Sequence, residues 1–163
     1  MAATSISHLI WFIVAVLVAT TTGLTLVGVV DRYSDGIEDM GRDTTGSLMT
    51  SVDIINDPSA VIYKKATATL YVYVKNTGEY DIEKTSILLV VNGTAVNGTN
   101  LGVGIVVNGP EFAYGSVAEL TAKVTGLKEG VDYFAWIDVN GLSPTGQRAG
   151  SDTATITFKI KAI

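Results

Sequence analysis

The chain has no cysteine, and its single histidine is His8. Without cysteine there can be no disulfide staple, thiolate metal site or thiol nucleophile. One histidine at the N-terminal end leaves Ser-His-Asp, Cys-His and zinc arrangements unavailable. Charge is scarce: 17% of residues are charged against 47% hydrophobic, with a net charge of −5. The basic residues are scattered, and Lys64-Lys65 is the one adjacent pair. No basic stripe exists to neutralise phosphates, so nucleic acid is excluded as a partner. Gly102-Val103-Gly104 is followed by no helical pattern and is not a phosphate loop. Asp132 and Asp138 bracket a strand candidate and read as solvated strand ends. No acid–base pair, metal cluster or cofactor motif emerges, and the chain reads as non-enzymatic.

What the sequence does have is concentrated at its start. From Met1 to Val30 the only ionisable side chain is His8. The apolar run Leu9–Val30, LIWFIVAVLVATTTGLTLVGVV, would span roughly 33 Å as a helix, enough to cross a hydrocarbon core of about 30 Å. It is too long, and lacks the basic flank, for a cleaved secretory signal. It reads as a helix in contact with membrane lipid over residues 9–30, or in a filament core. Ala15, Ala19 and Gly23 recur at every fourth position and form a face that admits close helix approach. Thr20, Thr21, Thr22 and Thr25 can return their hydroxyls to helix carbonyls. His8 reads as a cap or headgroup contact.

Past Val30 the chain becomes acidic: Asp31, Asp35, Glu38, Asp39 and Asp43 stand against Arg32 and Arg42. The acidic side chains read as a solvated face, and two arginines are too few to hold this flank in the cytoplasm. Met1 is therefore expected inside and everything after Val30 outside. Tyr33, Ile37, Met40, Thr44 and Leu48 form a helical stripe on this stalk, which Gly36, Gly41 and Gly46 weaken. The Ala15–Ala19–Gly23 face and the stripe through Ile37 and Met40 are expected to form one association seam, giving a homo-oligomer. Asn56-Asp57-Pro58 ends the run.

Beyond Pro58 the period becomes two. In residues 67–76, Ala68, Leu70, Val72 and Val74 share one face, and Thr67, Thr69, Tyr71, Tyr73 and Lys75 share the other. Further strand candidates are Ser51–Ile55, Ser86–Val91, Val103–Val107, Val117–Val124, Phe134–Val139 and Thr153–Ile160. Turn signals separate them: Asn76-Thr77-Gly78, Asn92-Gly93, Asn97-Gly98, Asn108-Gly109, Gly126 to Gly130 and Asn140-Gly141. Trp136 is expected in the core. The fold class is mainly β: a long N-terminal hydrophobic helix and stalk (residues 1–50), then an extracytoplasmic antiparallel immunoglobulin-like β-sandwich (residues 51–163). Asn92-Gly93-Thr94 and Asn97-Gly98-Thr99 are N-glycosylation sequons in a region expected to be accessible.

The uncharged start MAATSISHLIWFIVAVLVATTTG, the acidic stalk ending in SVDIINDP and the strand LYVYVKNTG resemble the archaellum accessory protein G family. The run GSVAELTAKVTGLKEGVDYFAWIDVNG is similar to the C-terminal strands of that family and of accessory protein F. The resemblance covers nearly the whole chain. It implies a role at the base of the archaeal motility filament, between membrane and surface layer, anchoring the rotating machine to the stationary envelope. The partners it implies are accessory protein F, a surface-layer protein or archaellins.

Archaellins share the helix-plus-sandwich plan and the Lys-Asn-Thr-Gly turn. They are made with a basic leader, and none precedes the helix here, so the accessory protein is expected if Met1 is the start. Two alternatives stay open: a filament subunit of archaellin or type IV pilin type, and a membrane-anchored adhesive or ligand-binding sandwich.

Overall fold

The structure, a computed structural model, describes residues 2–163, with side chains from Ser7 onward. The flank read above as the cytoplasmic end, residues 1–6, lies outside the described side chains.

No proline precedes Pro58, and the start of the chain is rich in Ala, Leu and Val; Ala2–Met49 forms one helix, α1. The threonines cost it nothing, because each hydroxyl donates to a carbonyl one turn back. Thr20 Oγ1 bonds Val16 O; Thr21 Oγ1 reaches Leu17 O at 2.9 Å and Val18 O at 3.0 Å. Thr22 Oγ1 reaches Val18 O at 2.7 Å, and Thr25 Oγ1 reaches Thr21 O at 2.5 Å. The stretch from Ser7 onward is long and apolar enough to cross a membrane.

Two compact units divide between Gly41 and Arg42. Periodicity alone puts the boundary after residue 50. The last turns of α1 group with the strands because Gly46 and Thr50 are buried against them.

The unit Arg42–Ile163 contains ten strands: β1 (Val52–Ile54), β2 (Val61–Lys64), β3 (Thr69–Asn76), β4 (Asp81–Ile82), β5 (Leu88–Val91), β6 (Thr94–Val96), β7 (Leu101–Val107), β8 (Val117–Lys123), β9 (Asp132–Leu142) and β10 (Arg148–Ala162). They form one curled sheet in the order β6-β5-β9-β10-β2-β3-β8-β7, with β1 beside β3 and β4 beside β9. The two layers meet through β10. It runs antiparallel to β9 along most of its length and ends parallel to β2, with Ile160 opposite Val61. That terminal pairing is the one parallel ladder among the described strands.

The core follows from alternation and size. On β3, Leu70, Val72 and Val74 are buried, and across the ladder they face Ala122, Leu120 and Ala118 of β8. In the other layer, Ile137 of β9 faces Leu89 of β5 and Ala154 of β10. Ala135 sits between Val91 and Ile156 in the same way. Most of these pairs set a large residue against an alanine, which lets the rows pack densely. Tyr133 and Phe158 close one end, with ring centroids 6.0 Å apart.

Two expectations are corrected here. Trp136 is not a core residue: Tyr133, Ala135, Ile137 and Val139 hold the inward phase of β9, and the indole, half-buried on the opposite face, lies across from Val90. Asn140-Gly141 is not a turn. β9 runs through it to Leu142, and the reversal comes at Ser143–Gln147, where Ser143 N–H donates to Gln147 O at 2.8 Å.

Leu70 is fully buried, whereas its neighbour Tyr71 is half-buried on the other face. Leu70→Asp buries an unpaired charge and is expected to abolish folding of the β-unit, whereas Tyr71→Ser should cost only about 1 kcal/mol. Far-UV circular dichroism melts check this. Equal damage from both would mean that the outer face of β3 is itself covered.

Candidate assembly interface

Two surfaces and one joint could carry binding. The first surface is α1 up to Gly41. Ala15, Ala19 and Gly23 are exposed, and a Cβ added at Gly23 would meet nothing within 4 Å. Leu17, Val18 and Leu24 around them are exposed as well. Ile37 and Met40 are 70% and 73% exposed.

Straight helix geometry keeps the positions expected to form the seam on one side of α1. At about 100° per residue, Ile37 lies about 40° from Gly23, Tyr33 about 80° and Met40 about 100°. Ala19 and Ala15 lie about 40° and 80° to the same side, so all six positions fall within a sector of about 100°. Ala15 and Met40 lie within about 20° of one line along the helix, so one straight partner can follow both.

The second surface is the pair of sequons. Asn92 and Gly93 have φ of 49° and 80°, the left-handed pair that a two-residue hairpin between β5 and β6 requires. Asn97 is extended, at φ −146°, and precedes a short 3₁₀ turn, Gly98–Asn100. Both asparagines, Thr94 and Thr99 are exposed.

The joint went unread in the sequence. Four glycines of the β-unit hold the end of α1 and the residues that follow it. A Cβ on Gly46 would lie 1.3 Å from Ala149 O, and one on Gly150 would lie 2.2 Å from Gly46 C. One on Gly78 would lie 2.3 Å from Ser51 N, and one on Gly141 would lie 2.1 Å from Thr50 Oγ1. Backbone thus touches backbone where no larger residue fits.

Hydrogen bonds complete the grip. Tyr80 N–H donates to Met49 O at 3.1 Å, and Thr77 and Gly78 N–H both donate to Ser51 O, at 2.9 and 3.0 Å. Val52 N–H donates to Asp152 Oδ2 at 2.9 Å. Buried Asn76 sets this loop: its Nδ2 donates to Tyr80 O and Phe112 O at 2.8 and 2.9 Å, and its Oδ1 accepts from Gly78 N–H at 3.0 Å. The Lys75-Asn76-Thr77-Gly78 turn is therefore a socket for the helix exit. Glycines inside strand runs, at 141 and 150, were the available signal, since such positions mark close backbone approach.

The electrostatics tie strands together and assemble no reactive pair. Tyr73 Oη donates to Glu119 at 2.8 Å, a hydrogen bond that raises the phenol above its ordinary range. Glu83 is held below the usual carboxylate range by hydrogen bonds from Thr85 and then Arg148. Lys159 pairs with Asp132 at 3.7 Å, and Asp138 accepts from Thr153. Among the described residues no group of His, Asp or Glu is placed to hold a metal ion.

A family model described as archaeal-type flagellin matches residues 2–161. A flagella-related protein G from Methanococcus voltae is 32% identical over 102 residues, which cover 61% of this chain and 67% of that protein. Its counterpart from Methanocaldococcus jannaschii is 28% identical over 104 residues, covering 61% and 68%. Among solved structures, the archaellum periplasmic stator complex of FlaF and FlaG from Sulfolobus acidocaldarius aligns with 70% of this chain and 93% of that one. The identity is 16% and the TM-score 0.40.

The joint yields opposite expectations for two small substitutions. Gly150→Ala forces main chain apart and should destabilise the β-unit by about 1–3 kcal/mol. Thr50 Oγ1 is buried with no partner among the described residues, so Thr50→Val should leave stability unchanged or raise it by about 1 kcal/mol. Denaturant melts of the two variants check both signs.

Proposed function

The chain belongs to the archaeal-type flagellin family, and on that premise we propose that it is a non-enzymatic structural component of the archaeal motility filament machinery. The reading is an anchoring, stator-like part held in the cell membrane by α1, with its β-unit outside the cytoplasm, between membrane and surface layer. The observation that carries it is a family match running from residue 2 to 161, through the exposed apolar helix and the sandwich alike. Identity of 32% to a flagella-related protein G supports the accessory role over bulk filament. The acidic flank after Val30 and the accessible sequons at Asn92 and Asn97 support the outward orientation. By analogy with the named stator complex, an accessory protein F is the first partner to test; surface-layer protein and archaellins are the others. Self-association through Ala15, Ala19 and Gly23, with Ile37 and Met40 farther along the same side of the helix, belongs to the same reading.

A second reading is favoured by the family description itself, which names a flagellin: the chain is a filament subunit whose helix packs in the filament core. Fractionation separates the two. An anchoring part stays with membranes after filaments are sheared off, and protease added to intact spheroplasts clips it after Val30. Recovery as a major component of sheared filaments would establish the subunit reading, and full protection in spheroplasts would overturn the orientation.

The helix carries its own expectation. Ala19→Leu with Gly23→Leu should separate close-packed helices and reduce the oligomer of the full chain in mild detergent, with the β-unit's melting temperature unchanged. An unchanged oligomer would remove these positions from the interface.

A further inference from the structure

We propose that the outer edge of β7 is an interface between two copies of this chain, formed by antiparallel pairing of β7 with β7 of the second copy. The proposal deepens the self-assembly part of the preceding reading and rests on it, but places a contact on the β-unit.

β7 closes one end of the sheet order: it pairs with β8, and among the described strands nothing pairs with its other side. Folded proteins blunt such an edge with charge, proline or brevity, because its free N–H and C=O groups recruit another strand. This edge has none of those. It is seven residues of LGVGIVV, and no charged side chain occurs anywhere between Lys84 and Glu111. One irregularity, between Ile105 and Val107, is its only guard. The N-terminal part of β10, by contrast, is guarded by the chain itself: Gly46 lies against Ala149 and Gly150, and Val52 bonds Asp152.

The two faces of β7 are unequal. Leu101, Val103 and Ile105 pack on the core, whereas on the outward face Thr121 Oγ1 covers Gly102, Gly104 opens onto free space, and Val106 and Val107 are 53% and 46% exposed.

Charge selects the occupant. A partner chosen by opposite charge would find nothing on this strand to pair with. A second copy is self-complementary here, since no residue meets a like charge across a two-fold axis. Contact elsewhere would bring together two surfaces of a chain carrying −5. With Gly104 opposite itself, no side chain of either copy stands between the two strands at the axis, and Gly102 pairs with Val106 of the other copy.

The chain has no cysteine, so one introduced thiol reports one position. Gly104→Cys fits, because a Cβ there meets nothing within 4 Å. The full chain, made without glycosylation and held in mild detergent, is treated with a short bismaleimide. Gly104→Cys should give a covalent dimer at several-fold the yield of Thr157→Cys, an exposed position on β10. Adding Val106→Lys should lower that yield several-fold, with the melting temperature unchanged. The dimer should persist when Ala19→Leu and Gly23→Leu are added. Equal yields at 104 and 157, or indifference to Val106→Lys, would overturn the proposal and leave the edge to a strand of another protein. Loss of the crosslink in the helix background would also overturn it, by assigning proximity to α1. An oligomer unmoved by the helix substitutions while the crosslink survives would sink the helix reading alone.

Discussion

The rest of the β-unit is arranged around the close crossing of two main chains where Gly46 of α1 meets Gly150 of β10. Contact between backbones is short-ranged and tolerates no methyl group, so it fixes position more sharply than a cluster of flexible side chains could. Its neighbours answer to it. Gly141 leaves room for Thr50, Gly78 for Ser51, and Asn76 holds the loop that presents Gly78. Three carbonyls are tied by the one Asn76 side chain and its immediate loop: Tyr80 O, Phe112 O and Ser51 O. Replacing Asn76 with any residue of different donor pattern would leave several buried groups unpaired together.

Much of this was legible in the sequence. Strict alternation at Leu70, Val72 and Val74 identified both the strand and its inward face, because one face of β3 is buried and a slip by one residue would invert it. The long apolar start was readable as one helix for a different reason: no charge, proline or turn cluster interrupts it before Asp31. The Asn92-Gly93 hairpin was readable because both its residues need positive φ.

What was not legible has physical causes. β2, β4 and β6 are two to four residues long, and so short a stretch carries no period to detect. Trp136 was misplaced because aromatic bulk suggested burial while the phase of its strand, set by Ala135 and Ile137, pointed it outward. Gly141 looked like punctuation beside Asn140, but its missing side chain serves a crossing rather than a turn. Gly46 looked like a weak point in a helix for the same reason. A glycine's purpose is decided by what approaches it, and the approaching residue is usually distant in sequence: 104 positions separate Gly46 from Gly150.

The threonine hydroxyls of α1 are returned to its own carbonyls, from Thr20 to Thr25. A segment whose polar groups are satisfied internally makes no demand on its surroundings. Moving it from acyl chains to a wall of neighbouring helices neither breaks nor forms a hydrogen bond, so the exchange is governed by shape and dispersion alone. Such a helix is solvent-indifferent between two oils. A reservoir of chains dissolved in a bilayer and a packed bundle drawn from it can then stand close in free energy, and small changes in side-chain fit can tip the balance either way.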